Sequence, residues 1–317
     1  MWHVYGGQAD SPMNRLVTQF NKTVGEEQNI VVNVTSLSNS TAIHFPLMAA
    51  ARGEPGASAM PDIFTAYPKD ALSIGVDRLV NWQEVFRPEE LDEYVPSFLQ
   101  EGRLGGKLVI FPLAKSTSLL FVNDAIFLPF AKACGLSHAD LATWEGMFKT
   151  ARAYHKYSGG KAFFKYDDWL HYSALNVASF GEDLLAGGKI DFDNVHFVRL
   201  WKLLAKAAVQ GDVCLLGGYS TTAMMTGEAV CGIGSSASIL YFKDTVTLPD
   251  NTTMPLTLKA LPVPHFAAAA PLASREAWAL PNTRPQPKKP ELAVYFYAGL
   301  QKKSAIRLLP LRPGICR

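Results

Sequence analysis

Hydrophobic and polar positions change their period repeatedly along this chain, and the changes mark the elements. Trp2-His3-Val4-Tyr5 reads as the last half of a strand running into Gly6-Gly7. Met13, Leu16, Val17 and Phe20 then recur at the spacing of a helix with one buried face, with Ser11 as N-cap and Pro12 in its first turn. Ile30 to Val34 is rich in β-branched residues and is predicted as a second strand. A Ser/Thr/Asn run, Thr35 to Thr41, leads into a helix through Ala51, and Pro61-Asp62-Ile63-Phe64 is predicted as a third short strand ending in Thr65-Ala66-Tyr67. Strands alternating with helices imply a parallel sheet with covering helices. Ligands of such sheets sit beyond the carboxyl ends of the strands, here Tyr5-Gly6-Gly7, Ser36 to Ser40 and Ala66-Tyr67.

A segment around Trp82, a helix over 88–99 and a turn over 102–106 precede the stretch Phe111 to Asp124. That stretch starts apolar, breaks at Pro112, crosses Lys115-Ser116-Thr117-Ser118 and becomes strand-like again through Leu119 to Val122. A strand, a hydroxyl-rich joint and another strand is the pattern of a chain passing from one lobe to a second. Helices are predicted over 124–134, ended by Gly135, then over 137–157, 168–180 and 195–209, with a short one over 221–227. Ala229 to Ile233 is a buried strand, Gly234 to Ser238 opens a helix or turn, and Leu258 to Pro264 is a closing strand.

Composition narrows the function classes. The 317 residues, 48% hydrophobic and 18% charged, suffice for two domains. A net charge of +2 favours neither nucleic acid nor a membrane surface as partner. No apolar run is long enough to span a bilayer. The four cysteines have no zinc-site spacing; Cys214 and Cys231 are either a pair or buried free thiols. The histidines form no HExxH and accompany no GxSxG elbow, and Gly232 to Ser235 lacks the spacing of a dinucleotide or phosphate loop. Asp167-Asp168 at a helix start reads as a cap, and no second carboxylate is placed for glycosidase chemistry. No cofactor, no metal and no catalytic activity are therefore expected. Met1 leads at once into a strand with no secretory signal before it, so N-terminal truncation is expected.

Several pieces, in order, resemble the extracellular solute-binding proteins of ABC importers that serve sugars and glycerol phosphates. They are Trp2-His3 with Gly6-Gly7; Pro61 to Phe64; Gly105-Gly106-Lys107 followed by Pro112; Ser116 to Asp124; Thr143-Trp144-Glu145; Phe180 to Leu184; Met224-Met225 with Gly227; and Leu261 to Pro264. The resemblance implies an α/β, two-lobe periplasmic-binding-protein fold of type II-like kind, closing over a ligand at a hinge. Lobe one would span 1–112 and lobe two 113–262, with 263–317 returning to lobe one. It further implies a periplasmic or extracellular location, a small-molecule solute (sugar or polyol phosphate), ABC permease membrane subunits as partners, and a monomer. The alternatives are a carbohydrate- or phosphoester-processing enzyme on a two-lobe scaffold, and a non-functional frameshifted fragment.

The candidate ligand residues follow from position. The resemblance puts Ser116 at a ligand-contacting serine; its other reading is a hydroxyl satisfying a turn. Ser235 and Ser236 follow a glycine at a strand end, where they either cap a helix or meet a ligand. Gly7 stands at the first strand end. Tyr5, Tyr67, Trp169 and Tyr172 are candidate stacking platforms for a sugar ring, although Trp169 and Tyr172 also fit a core position at helical spacing. Trp82, Trp144 and Trp201 are assigned to packing.

The tail departs from the resemblance. Residues 267–317 are poorly patterned, where the family has a Phe-Leu-Lys/Arg-Trp-Phe-like run and then Thr-Gly-Tyr-Leu-Pro. New codons built from the third base of each residue and the first two of the next permit Phe-Leu-Arg-Trp-Phe across Tyr295 to Leu300 and Thr-Gly-Tyr-Leu-Pro across Arg312 to Arg317. In the first motif Leu is forced, because Phe296-Tyr297 can yield nothing else. A frameshift near 265–270 is expected, leaving the residues after about 266 out of frame and poorly ordered. Sequencing the coding DNA should show both motifs in one shifted frame, and early stop codons in that frame would exclude the frameshift.

Overall fold

The computed structural model describes residues 1–5, 11–38, 40–185, 188–215, 217–269 and 275–281. It divides into two compact units, Met1–Lys115 with Ala277–Arg317, and Ser116–Glu276.

The first unit begins with β1 (Trp2–His3), α1 (Pro12–Asn21), α2 (Val24–Glu27) and β2 (Thr35–Ser36). Ser11 caps α1, accepting from Asn14 N–H at 3.4 Å, and Met13, Val17 and Phe20 form the buried face. β1 runs parallel to β2, with Trp2 opposite Thr35 and His3 opposite Ser36. On its other side Trp2 bridges Phe64, donating to Ile63 O at 2.8 Å and accepting from Thr65 N–H at 3.0 Å. The predicted parallel arrangement is present, but its strands are cut short. In particular 30–34 is not a strand, because Asn21 accepts from Val32 N–H at 2.8 Å and donates to its carbonyl at 3.0 Å. A side chain thereby satisfies the groups that a neighbouring strand would otherwise pair. Ile30, Val32 and Val34 still pack inward while Val31 is exposed.

The unit continues with α3 (Ser40–Arg52), α4 (Pro68–Ile74), α5 (Pro88–Leu91) and α6 (Pro96–Glu101). The single helix predicted over 88–99 is thus two. Pro96 has no N–H to continue a helix and holds Val95 extended, at φ −63° and ψ 118°. β3 (Arg103–Leu104) and β4 (Lys107–Leu108) form a hairpin whose turn needs two positive φ angles, supplied by Gly105 at 56° and Gly106 at 79°. One core gathers Trp82, Phe86 and Phe111, with Phe86 and Phe111 ring centroids 5.1 Å apart; a second gathers Leu47, Phe64 and Ile110.

β5 (Ile110–Asn123) is one strand of 14 residues, not two strands around a joint. Pro112 lies inside it without breaking it, and two antiparallel ladders of the strand begin further along, at Ser118 and Leu119. The division between units falls within it, after Lys115.

The second unit holds α7 (Asp124–Cys134), closed by Gly135 in the left-handed region at φ 66°, and α8 (Trp144–Tyr157). The helix predicted over 137–157 is split, with a 3-10 turn at His138–Leu141 and a fresh start where Thr143 Oγ1 accepts from Gly146 N–H at 3.2 Å. β6 (Phe164–Tyr166), α9 (Trp169–Ala178), α10 (Val195–Val209), α11 (Ser220–Met225) and β7 (Cys231–Ser235) follow. A hairpin of β8 (Thr245–Thr247) and β9 (Thr253–Pro255) precedes β10 (Leu258–Pro262) and β11 (Arg275–Pro281). The sheet order is β10-β5-β7-β6, with β11 also paired to β5. β5 is antiparallel to β10 and β7, and β6 is parallel to β7, so this sheet is mixed. Its core includes Phe127, Phe130, Trp144, Phe163, Phe164, Tyr172 and Phe266. Cys214 and Cys231 are buried free thiols, and burial pushes the Cys231 thiol well up from its ordinary value.

The return to lobe one was expected at 263 and poor order from about 266. At 263–266 the chain instead packs within the second unit; residues 270–274 lie outside the described ones. His265 N–H donates to Ala142 O at 3.3 Å, and Trp144 N–H donates to His265 O at 3.0 Å. Phe266 is fully buried, with the Arg199 guanidinium 4.2 Å from its ring centroid and Arg199 paired to Glu145 at 2.7 Å. Residues 282–317, which would encode both shifted motifs, lie outside the described residues. Phe266→Ala should cost about 3–5 kcal/mol of stability in chemical denaturation, the usual scale for emptying a buried aromatic site. A loss near zero would mean that this segment does not pack on the second unit.

Candidate functional site

In the second unit, strand directions decide which residues meet. β6 and β7 are parallel with Tyr166 opposite Ile233, so their carboxyl ends coincide and Asp167 comes beside Gly234. β5 runs the other way and pairs Ser118 with Ser235, so its hydroxyl run starts at the same edge. The 3-10 turn Ser236–Tyr241 and α11 also begin here. The edge therefore gathers Ser116, Ser118, Asp167, Ser220, Ser235 and Ser236.

Local contacts hold this set in place. Ser236 Oγ accepts from Thr117 N–H at 3.1 Å, joining the turn to β5. Ser235 Oγ accepts from Ala237 N–H at 3.2 Å as the N-cap of its turn. Asp167 N–H donates to Ile233 O at 3.0 Å, and its Oδ1 accepts from Ser220 N–H. A Cβ at position 234 would stand 2.5 Å from Asp167 Oδ2 and 3.2 Å from Ser220 Oγ, so glycine there is what lets the carboxylate lie against β7. Ser116 and Ser118 are buried, and Asp167, Ser235 and Ser236 are half-buried. Tyr219, the half-exposed N-cap of α11, has its phenol pKa raised by burial first and by the charges of Asp167 and Tyr241 after it. A carboxylate, several hydroxyls and a phenol can exchange many hydrogen bonds with a polar ligand.

The other predicted ligand residues scatter. Tyr172 does not offer a stacking face: at 3% exposure it sits in the core, edge-on to Tyr166 at 6.1 Å. Trp169 is 38% exposed, with its ring 5.4 Å from Trp201 and 6.0 Å from Phe197, so it lies along α10 with one part open. Trp201, assigned to packing, is in fact exposed. Gly7 and the side chain of Lys115 lie outside the described residues.

Tyr5 and Tyr67 belong to the first unit. Tyr5 is half-buried against the Trp82 core, and its N–H donates to His3 Nδ1 at 3.1 Å. Burial lowers the pKa of His3, whose Nε2 lies 2.8 Å from Asn14 Oδ1. Tyr67 caps α4, its N–H donating to Asp70 Oδ2 at 2.9 Å while His44 Nδ1 lies 2.6 Å from Asp70 Oδ1. The Lys69 ammonium stands 5.9 Å from the Tyr67 ring centroid.

Asp167 escaped the sequence reading. Both members of Asp167-Asp168 were assigned to capping, yet only Asp168 caps α9, accepting from His171 N–H at 3.0 Å. A helix needs one N-cap, so a second aspartate before it is the signal that could have marked another role. Among the described residues no group of His, Cys, Asp or Glu could hold a metal ion, and no described helix is long and apolar enough to cross a membrane.

Solved structures share this fold. Maltose-bound MalE3 of T. maritima matches with a TM-score of 0.73 at 17% identity, covering 97% of this chain and 78% of that one. UgpB from Mycobacterium tuberculosis in complex with glycerophosphocholine matches with a TM-score of 0.73 at 16% identity, covering 97% of this chain and 75% of that one. The GacH receptor of Streptomyces glaucescens, solved unliganded and with acarbose, also matches with a TM-score of 0.73 at 16% identity, covering 97% of this chain and 76% of that one. No curated protein matches the sequence. The family described as bacterial extracellular solute-binding protein matches residues 15–302, most of the chain, and the chain belongs to that family.

Proposed function

We propose that this protein is the solute-capturing component of an ABC importer, holding a carbohydrate or glycerol-phosphate-like solute between its two lobes and delivering it to membrane permease subunits. It would act as a monomer outside the cytoplasmic membrane, without chemistry on the ligand. The observation that carries this reading is the edge where β5, β6 and β7 bring Ser116, Ser118, Asp167, Ser235 and Ser236 together. Family membership supports it, as do fold relatives whose structures hold maltose, glycerophosphocholine and acarbose. Capture needs only that some ligand contacts exist in the closed form alone, since those contacts shift the population towards closure. Trp169, Tyr67 and Tyr5 remain the aromatic candidates in this scheme, and Gly7 a backbone one.

Calorimetry with maltose, acarbose, glycerol 3-phosphate and glycerophosphocholine, run beside a hydrolysis assay, tests the proposal. Saturable binding with the ligand recovered intact is expected, and turnover without a stable complex would exclude it. Ser116→Ala should weaken ligand binding about 5- to 10-fold, the scale of one hydrogen bond.

A further inference from the structure

Charge is spread unevenly over the second unit. α8 and α10 carry Lys149, Arg152, Lys156, Arg199, Lys202 and Lys206 against one carboxylate, Glu145. Six cations less one anion leave a net +5 on two helices, where all 317 residues sum to +2. The whole-chain balance therefore conceals a locally basic layer. Both helices bury their apolar faces in one core, α8 through Met147, Ala151 and Tyr154 and α10 through Leu200, Leu204 and Ala207. They also touch each other, Arg199 pairing with Glu145 at 2.7 Å, so their outer faces open on the same side of the unit.

Two of the cations are neutralised within the chain, Arg199 by Glu145 and Arg152 by the buried Asp212 at 3.0 Å. Lys149, Lys156, Lys202 and Lys206 are exposed, and none forms an ion pair with a described residue. The other acids close to α10 in sequence, Glu182, Asp191 and Asp193, stand before its amino end, where Glu182 Oε1 lies 3.5 Å from His196 Nε2. The face is not purely polar. Val195 and Val209 are exposed at the two ends of α10, Val209 to 90%, and Trp201 is exposed between them beside Trp169. Tyr157 is exposed at the end of α8. From Val195 to Val209 the strip runs about 21 Å.

Lysines without partners, interleaved with exposed valines and aromatics along a whole helix, suit a broad anionic surface. A second copy on this face would set lysine against lysine and be repelled. A nucleic acid would use the lysines and leave the valines in water. A bilayer surface engages both sets: ammonium groups on flexible stems reach lipid phosphates, while Trp, Tyr and aliphatic side chains settle at headgroup level. We propose that the α8–α10 face docks the second unit on the surface of an anionic phospholipid bilayer, independently of solute capture.

Cosedimentation of the whole chain with vesicles tests this, comparing pure phosphatidylcholine with a phosphatidylcholine–phosphatidylglycerol mixture at low and high salt. The variant with Lys149, Lys156, Lys202 and Lys206 all changed to Gln is measured in parallel; these four side chains are exposed, so the core is left as it is. The wild type should bind the anionic vesicles about tenfold or more tightly than the neutral ones, and high salt should remove most of that preference. The fourfold variant should lose the preference while keeping its unfolding midpoint. No binding to anionic vesicles, equal binding to both compositions, or a folded variant that keeps the preference would overturn the proposal. So would capture by a single-stranded oligonucleotide as tight as by anionic vesicles at equal phosphate concentration, since the apolar positions would then contribute nothing. The wild-type comparison of lipids and salt decides by itself if the variant does not fold.

Discussion

The ladder between β5 and β7 is the constraint on which the second unit depends. It sets Ser118 against Ser235 and carries through Leu120 opposite Ile233 to Val122 opposite Cys231. Leu120, Val122, Ile233 and Cys231 are all fully buried, and glycines alternate with the last two along β7, so a slip of β7 by one residue would put Gly232 and Gly234 where Cys231 and Ile233 fill the core. The core therefore fixes the register, and the register fixes the edge. Hydroxyls far apart in sequence meet because the leucines and valines behind them have only one way to pack. β6 then joins in parallel, and Asp167 arrives at the same level.

That dependence explains what could be read from the chain and what could not. α1, α7 and α10 carry their own signals: a capping serine with proline, a left-handed glycine, a long apolar period. Each is local, within a turn or two. The shortened strands of the first unit were not legible, because Asn21 satisfies Val32 from across a helix and nothing near Val32 announces it. β6 was missed for a similar reason. Phe163 and Phe164 are both fully buried, so no alternation marks the strand, and its pairing partner lies in β7. Pro96 should have divided the helix over 88–99, since its effect is local and a full helix there lacked the required N–H. At the edge, Ser116, Ser235 and Ser236 were named from position, while Asp167 was hidden behind Asp168, which does the capping.

The two readings of the edge serines do not exclude one another. A hydroxyl has one donor and two acceptor lone pairs. Ser235 and Ser236 each spend an acceptor site on a backbone N–H, from Ala237 and Thr117 respectively. That use orients the oxygen without consuming the hydroxyl proton. A serine fixed in this way would lose less freedom on meeting a ligand than one rotating in solvent, so capping is compatible with the proposed contact. Gly234 contributes by absence, since any side chain there would displace the carboxylate that completes the set.

The same reasoning applies to the segment that ends the second unit. Pro264 and Phe266 are buried, Ala267 and Ala268 are exposed, and Ala269 packs only partly against the core. Phe266 is matched on several sides at once, by Phe180 at 6.3 Å, by the Arg199 guanidinium and by the Trp144 to His265 hydrogen bond. Arbitrary sequence seldom supplies a fully buried aromatic with a cation over its face and a backbone pair beside it. Consistency between local chemistry and packing is the mark of a sequence that specifies its own structure. That consistency supports a native reading through Phe266 and moves the expected loss of frame to the alanine run that follows it.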